Sequence, residues 1–207
     1  MKKQTISTLF LDIGGVLLTN GWDRVARSKA AEHFRLDAEE LNERHHLTFS
    51  IYEEGKLTLD EYLSRVIFYE PKAFSKERFI EFMHSQSAPF PGAIDFFKSL
   101  KKEYGLRVIA VSNEGKELNS FRIREFGLTG LFDVFVSSCF VNKRKPDADI
   151  FRMAIDISQA DPVQSVYIDD RLLFVEIART FGLNGLHYRN LETAKEQLRA
   201  FGFSNLN

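Results

Sequence analysis

The chain has 207 residues, 44% of them hydrophobic and 28% charged, which is ordinary globular usage and argues against a disordered tail or a fibre. Its 28 Lys and Arg nearly balance 29 Asp and Glu, so no strong field draws it to nucleic acid or to an anionic membrane. The expected partner is a small molecule, and the length suits one domain or one domain carrying an insertion. A single cysteine, Cys139, excludes an intrachain disulfide, fits a reducing compartment and reads as a structural thiol. No apolar stretch approaches the ~18 residues of a membrane span. The apolar run after Met1, Lys2 and Lys3 is broken by Asp12 and Gly14 without a small-residue cleavage site, so a cytoplasmic enzyme is expected. The 20 Phe recur at helical and strand spacings and read as core filler.

Residues 6–12 are rich in β-forming types and end in Asp12 ahead of Gly14 and Gly15, the pattern of a buried strand entering a tight turn. From Trp22 to Ser87 the pattern becomes helix after amphipathic helix, over 22–34, 38–54, 59–69 and 76–85. Thr58 and Glu61 have capping-box spacing, Ser75 is placed as an N-cap, and Gly55 and Pro71 supply breaks. After Pro89 and Pro91, helices at 93–104, 116–126, 147–158 and 172–181 alternate with strands at 107–112, 133–137, 165–169 and 185–188, and a final helix starts at Leu191. Continuous apolar runs at 9–11, 108–111 and 166–168 suit strands covered on both faces, and the alternation predicts a parallel sheet with right-handed crossovers. The expected fold is α/β: a Rossmann-like parallel sheet flanked by helices, built from 1–16 and 88–207, with a small all-α helical bundle at 17–87.

In an open parallel sheet, ligands bind beyond the carboxyl ends of the strands. Those ends carry Asp12, Ser112 with Asn113, and Asp169 with Asp170, while Lys145 and Pro146 follow the strand at 133–137. Each residue alone has a plainer reading, as a turn, a cap, a surface cation or a solvated loop. Their joint placement on one rim points to displacement at phosphorus. Asp12 can attack a phosphoryl group, Asp169 and Asp170 beside it offer the hard oxygens that magnesium favours, Ser112 can donate to a phosphate oxygen, and Lys145 can hold remaining negative charge. Gly14 and Gly15 leave backbone exposed for close approach by phosphate or metal.

The segments LFLDIGGVLL, VIAVSNEG, NKRKPDADIFRMA and VYIDDRLLFVEIARTFGL resemble the haloacid-dehalogenase-like superfamily over nearly the whole chain. The resemblance implies Asp12 as nucleophile, Ser112 and Lys145 as its catalytic partners, and Gly14, Gly15, Ser112, Asn113 and Lys145 around the phosphate. It implies a Mg2+ ion on Asp12, the Gly14 carbonyl, Asp169 and Asp170. The helical bundle becomes a cap whose closure excludes water. Within it, YEEGKLTLDEY resembles the subgroup that holds bacterial sugar-phosphate phosphatases and the N-terminal domain of soluble epoxide hydrolases. The implied activity is a magnesium-dependent phosphatase for a small phosphorylated metabolite such as a sugar phosphate, working as a monomer or as a homodimer through exposed Phe and Tyr residues of the cap.

One departure stands out. Phosphatases of the superfamily usually carry a second aspartate two residues after the nucleophile as general acid and base, a role typically contributing ~100 to 10,000-fold, and this chain has Gly14 there. Some sugar-1-phosphate phosphatases of the superfamily share that glycine. His45, His46, Glu53 and Glu54 are possible substitutes, although helical periodicity turns them toward solvent; Asp23 is placed as a cap of the first bundle helix. Carbon–halogen cleavage on the same fold would explain Gly14, but it leaves Asp169 and Asp170 without a purpose, and no arginine set for a substrate carboxylate stands out. A binding or regulatory protein that has lost turnover is the other alternative. Dinucleotide binding lacks the third glycine of its fingerprint.

Overall fold

The computed structural model describes residues 5–204 and 206, which leaves the basic start at Met1, Lys2 and Lys3 outside the described residues. Five parallel strands form one sheet in the order β3-β2-β1-β4-β5. In chain order these are β1 (Thr8–Leu11), β2 (Arg107–Ser112), β3 (Val134–Ser137), β4 (Ser165–Asp169) and β5 (Asn184–His187). Strand β1 is central and wholly buried, as its unbroken apolar run requires. Its register aligns Leu11 with Ala110 on one side and Ile168 on the other, so Asp12 emerges beside Val111 and Asp169, and its N–H donates to the Ile168 carbonyl at 3.0 Å.

The helices in chain order are α1 (Arg24–Phe34), α2 (Ala38–Glu53), α3 (Leu59–Val66), α4 (Lys76–Ser85), α5 (Ala93–Tyr104), α6 (Lys116–Glu125), α7 (Ser138–Val141), α8 (Ala148–Ser158), α9 (Leu172–Thr180) and α10 (Leu191–Ala200). The two-residue period of the strands divides their side chains between the sheet's faces. Leu9, Leu11, Val108, Ala110, Val166 and Ile168 pack under α5 and α10. Phe10, Ile109, Val111 and Tyr167 pack under α8 and α9. Helices α1 to α4 enclose a separate apolar cluster of Trp22, Ala30, Leu41, Tyr62, Leu63 and Phe79, which Leu118 of α6 joins from the core side. No helix among the described residues is long and apolar enough to cross a membrane.

Local chemistry fixes the block's ends. Asp23 caps α1 by accepting from the Ala26 N–H, Thr58 and Glu61 form the capping box of α3, and Ser75 caps α4. Helix α3 stops at Val66 rather than running to Tyr69: the Phe68 N–H turns back to the Leu63 carbonyl, and Pro71 disfavours helical backbone at Glu70. The one-turn α7 was not expected from the sequence; it places Ser138 where its hydroxyl donates to the Glu53 carbonyl at 2.6 Å and accepts the Glu114 N–H at 3.0 Å. Two glycines let the block meet the core. A Cβ at Gly115 would lie 2.0 Å from Tyr52 Cζ, and one at Gly55 would lie 2.2 Å from the Cys139 carbonyl oxygen. The Phe residues of the block are buried or half-buried, and only Tyr69 of the aromatic Phe and Tyr set there is exposed, beneath the Arg44 guanidinium at 3.6 Å. The apolar face expected to support a dimer is therefore not made of Phe.

Candidate active site

The carboxyl ends of β1, β2 and β4 and the loop before α8 meet in one cleft of about 300 Å³, roofed by α1 and α2. Asp12 lies at its floor, with Oδ1 accepting the Ile13 N–H at 2.7 Å and Oδ2 lying 2.9 Å from Lys145 Nζ. Lys145 is fully buried, and its ammonium has three acceptors: Asp12, Asp169 Oδ2 at 2.7 Å and the Val111 carbonyl at 2.9 Å. Asp169 Oδ2 also accepts from Tyr167 Oη at 2.7 Å, and its Oδ1 accepts the Arg171 N–H at 2.9 Å. Ligand oxygens of Asp12, Asp169 and Asp170 all lie within 4.8 Å of one another.

Charge crowding shifts these groups. Burial pushes the Asp12 carboxyl up to about 6 against the pull of Lys145, with Asp169 and Asp170 adding repulsion. Burial works against the Lys145 ammonium, but Asp12 and Asp169 more than offset it and hold its pKa above the usual lysine value. Burial and the charge of Asp169 raise Asp170 as well.

The expected residues meet at these strand ends, and the structure gives three of them further partners. Asn113 lines the cleft, and its side chain bonds to the protein: its Oδ1 accepts the Lys145 N–H and its Nδ2 donates to the Lys145 carbonyl, both at 2.8 Å, so it fixes the lysine's backbone. Gly15 does not line the cleft, and its glycine serves a carboxylate: at φ +76 a Cβ would lie 2.3 Å from Asp170 Oδ2. All three Lys145 donors are engaged by acceptors of the protein. Ser112 is buried at the cleft wall, with a hydroxyl that makes no hydrogen bond to the described residues. Gly14 also lines the cleft.

Residues from the helical block complete the wall. His45 and Glu53 face the cleft, not solvent as helical periodicity had placed them, whereas His46 is exposed and Glu54 pairs with Lys56. Glu53 is held by Arg144 at 2.9 Å and is raised by burial against that pull. Trp22 Nε1 donates to Tyr62 Oη at 2.8 Å, and Tyr62 Oη lies 2.7 Å from His45 Nδ1. Because indole N–H only donates, the phenol hydrogen goes to His45 Nδ1 and the imidazole proton sits on Nε2. Burial, Arg27 and His46 push His45 down to about 3, so the ring is neutral.

The sequence reading overlooked the cations of this wall. Arg24 and Arg27, one turn apart on α1, line the cleft and also a neighbouring groove of about 570 Å³ between α1 and α2. Arg27 donates to Asn42 Oδ1 and the Trp22 carbonyl, and among the described residues it has no carboxylate ion pair and Arg24 has no hydrogen bond or ion pair. Glu114 and Arg122 were also missed, although Glu114 directly follows Ser112 and Asn113 at the end of β2. They form a buried ion pair at the cleft, where burial pushes the Glu114 carboxyl up to about 7 against the Arg122 charge. Cys139 is buried on α7, and desolvation raises its thiol to about 12.

Comparison with known proteins agrees with this fold. In fold, the chain is similar to a HAD family enzyme of Bacteroides thetaiotaomicron solved with magnesium and inorganic phosphate, at TM-score 0.75 and 20% identity over 89% of this chain and 94% of that one. It is also similar to the defluorinating L-2-haloacid dehalogenase Rha0230, at TM-score 0.62 and 19% identity over 87% and 80%. A curated relative, flavin mononucleotide hydrolase 1 of Arabidopsis thaliana, is 24% identical over 161 residues, 78% of this chain, and the match spans only 64% of that protein. Residues 6–182 match the family profile described as haloacid dehalogenase-like hydrolase, and the chain belongs to that family of hydrolases.

Proposed function

We propose that the protein is a magnesium-dependent phosphatase that hydrolyses a small phosphorylated metabolite, with sugar phosphates first among the candidates, through an aspartyl phosphate on Asp12. One observation carries this reading: three carboxylates, Asp12, Asp169 and Asp170, cluster together while a single ammonium pairs with only the first two, and one oxygen of the third, Asp170 Oδ1, is buried with no hydrogen-bond partner among the described residues. The surplus negative charge and the orphaned hard oxygen fit a divalent cation. Asp12, Asp170 and the Gly14 carbonyl would hold it, with Asp169 behind them. When bound, magnesium would neutralise charge between the attacking carboxylate and the phosphate dianion.

The chain's own residues do the remainder. The Asp12 carboxylate attacks phosphorus as the bond to the leaving oxygen breaks, and water then releases phosphate from the acyl phosphate. The Ile13 N–H and Lys145 orient Asp12 from both oxygens, while Asn113 holds the lysine's backbone. Ser112 Oγ offers a donor to a phosphate oxygen. The block of residues 17–87 serves as the cap, stapled to the core by hydrogen bonds from Ser138 to the Glu53 carbonyl and from Asn142 to the Glu54 carbonyl. Arg24, Arg27 and the Nε2–H of His45 offer donors to the leaving group, and the adjoining groove leaves room for one larger than a methyl ester.

The test is phosphate release from an aryl phosphate with and without Mg2+. Release is expected with the metal only, and Asp12→Asn, nearly isosteric, abolishes it while the circular dichroism spectrum is kept. Metal-independent turnover would remove the reading. A second reading, carbon–halogen cleavage, draws support from Arg24 and Arg27, which supply carboxylate-binding cations that the sequence did not reveal; halide release from 2-haloacids would favour it.

A further inference from the structure

The position that Gly14 leaves without a carboxylate is approached from another element. A Cβ at residue 14 would lie 2.9 Å from Asn20 Oδ1 and 3.8 Å from Arg122 Nη1. That same Nη1 is hydrogen-bonded to Glu114 Oε2, so a second carboxylate lies one guanidinium nitrogen away from the space a residue-14 acid would fill. Glu114 lines the cleft together with Asp12 and Ser112. Its Oε2 is tied to Arg122, whereas its Oε1 makes no hydrogen bond to a described residue. The backbone cannot swing it away: Asn113 is bound to Lys145, the Glu114 N–H donates to Ser138 Oγ, and α6 starts directly after Gly115.

We infer that Glu114 is the proton-exchanging residue of this site, replacing the acid that Gly14 omits. The inference rests on the phosphatase reading. In the first step the Asp12 oxygen bonds to phosphorus, the phosphorus–oxygen bond to the alcohol breaks, and the Glu114 carboxyl gives its proton to the departing oxygen. In the second, a water oxygen bonds to phosphorus, the bond to Asp12 breaks, and the Glu114 carboxylate takes the water's proton. A group that titrates near neutrality serves both directions. Glu114 meets that requirement because burial raises it to about 7 against Arg122 on α6, with Glu53 on α2 and Asp12 adding repulsion; Tyr52 and Cys139 also face it.

The experiment compares wild type, Glu114→Gln, and Glu114→Gln with Arg122→Gln, which removes both charges of the buried pair and so leaves neither alone. Mg2+-dependent hydrolysis is followed on nitrophenyl phosphate, whose leaving group needs no proton, and on alkyl phosphates, whose leaving group does. Loss of Glu114 is expected to slow alkyl esters about 100-fold or more. On nitrophenyl phosphate it should leave a stoichiometric burst of nitrophenol followed by slow turnover, because only the water step still needs the base. Adding Gly14→Asp to Glu114→Gln should restore alkyl ester hydrolysis. Should neither variant fold, wild type alone decides: kcat/KM for alkyl esters falls as pH rises through about 7, and for nitrophenyl phosphate it does not. An equal loss on both substrate types without a burst, or the same pH profile for both, makes Glu114 only the counter-ion of Arg122 and overturns the inference. A wild-type protein that releases phosphate from no ester overturns the phosphatase reading, and this inference with it.

Discussion

Replacing Lys145 by Met keeps most of the side-chain stem and removes the one cation between Asp12 and Asp169. Their oxygens accept from Nζ at 2.9 and 2.7 Å, and the ligand oxygens of the acidic cluster lie within 4.8 Å of one another. Two unit charges at that separation and an effective dielectric constant of ~20 repel by about 3 kcal/mol. Breaking a buried ion pair costs about 3–5 kcal/mol, so Lys145→Met should lose about that much stability near neutral pH. In the variant the folded Asp12 carboxyl would titrate further above its unfolded value, since it starts from about 6 even with the lysine present. Such groups stabilise the fold below their unfolded pKa and lose that contribution as pH rises through the folded one, so the deficit should shrink on going from about pH 7 to about pH 5. Urea unfolding followed by circular dichroism and by the fluorescence of Trp22, the single tryptophan, measures it. Millimolar Mg2+ should recover part of the loss at the higher pH. A deficit that is the same at both pH values and indifferent to Mg2+ would show that the lysine contributes packing alone, and the charge argument would fail.

Gly15→Ala places a methyl group where Asp170 now lies and demands φ +76 of a residue with a side chain. The left-handed backbone alone costs about 1–2 kcal/mol, and the displaced carboxylate should cancel the rise in melting temperature that Mg2+ gives wild type; an undiminished rise would refute it. Cys139, its thiol raised to about 12 by burial, should resist iodoacetamide at mildly alkaline pH until the protein unfolds in urea, and native labelling at the rate of a free thiol would contradict that.

The sheet was legible because its central strands are covered on both faces and therefore spell uninterrupted apolar runs ending in Asp12, Ser112 and Asp169. Each strand end is a local signal, and a parallel sheet collects such ends on one rim. What the ends bind to is not local. The bonds of Asn113 to the Lys145 backbone have no local signal, because that partner is 32 residues away. The close approach of Asp170 to Gly15 is likewise silent in the sequence, since nothing near the glycine announces that carboxylate. His45 and Glu53 were turned toward solvent since α2 buries one face in its own bundle and presents another to the cleft, and a single amphipathic period cannot represent two buried faces. Glu114 was passed over for a similar reason: its partner Arg122 lies two turns along α6, with no spacing that distinguishes it from an ordinary surface pair. The apolar alternation likewise overran α3, where the chain leaves the helix before Pro71 while Phe68 continues to pack in the bundle.

The glycines at 55 and 115 work as cut-outs, one admitting a carbonyl and the other an aromatic ring. Neither contact has a flexible side chain to lengthen or shorten, so the height of the roof above Asp12 is set by backbone and ring dimensions. Sliding the helices to enlarge the chamber would separate surfaces that have no slack. A lineage adapting this chamber to a bulkier or smaller guest would therefore exchange the furniture, residues such as Phe49 and Arg27, and leave the frame in place.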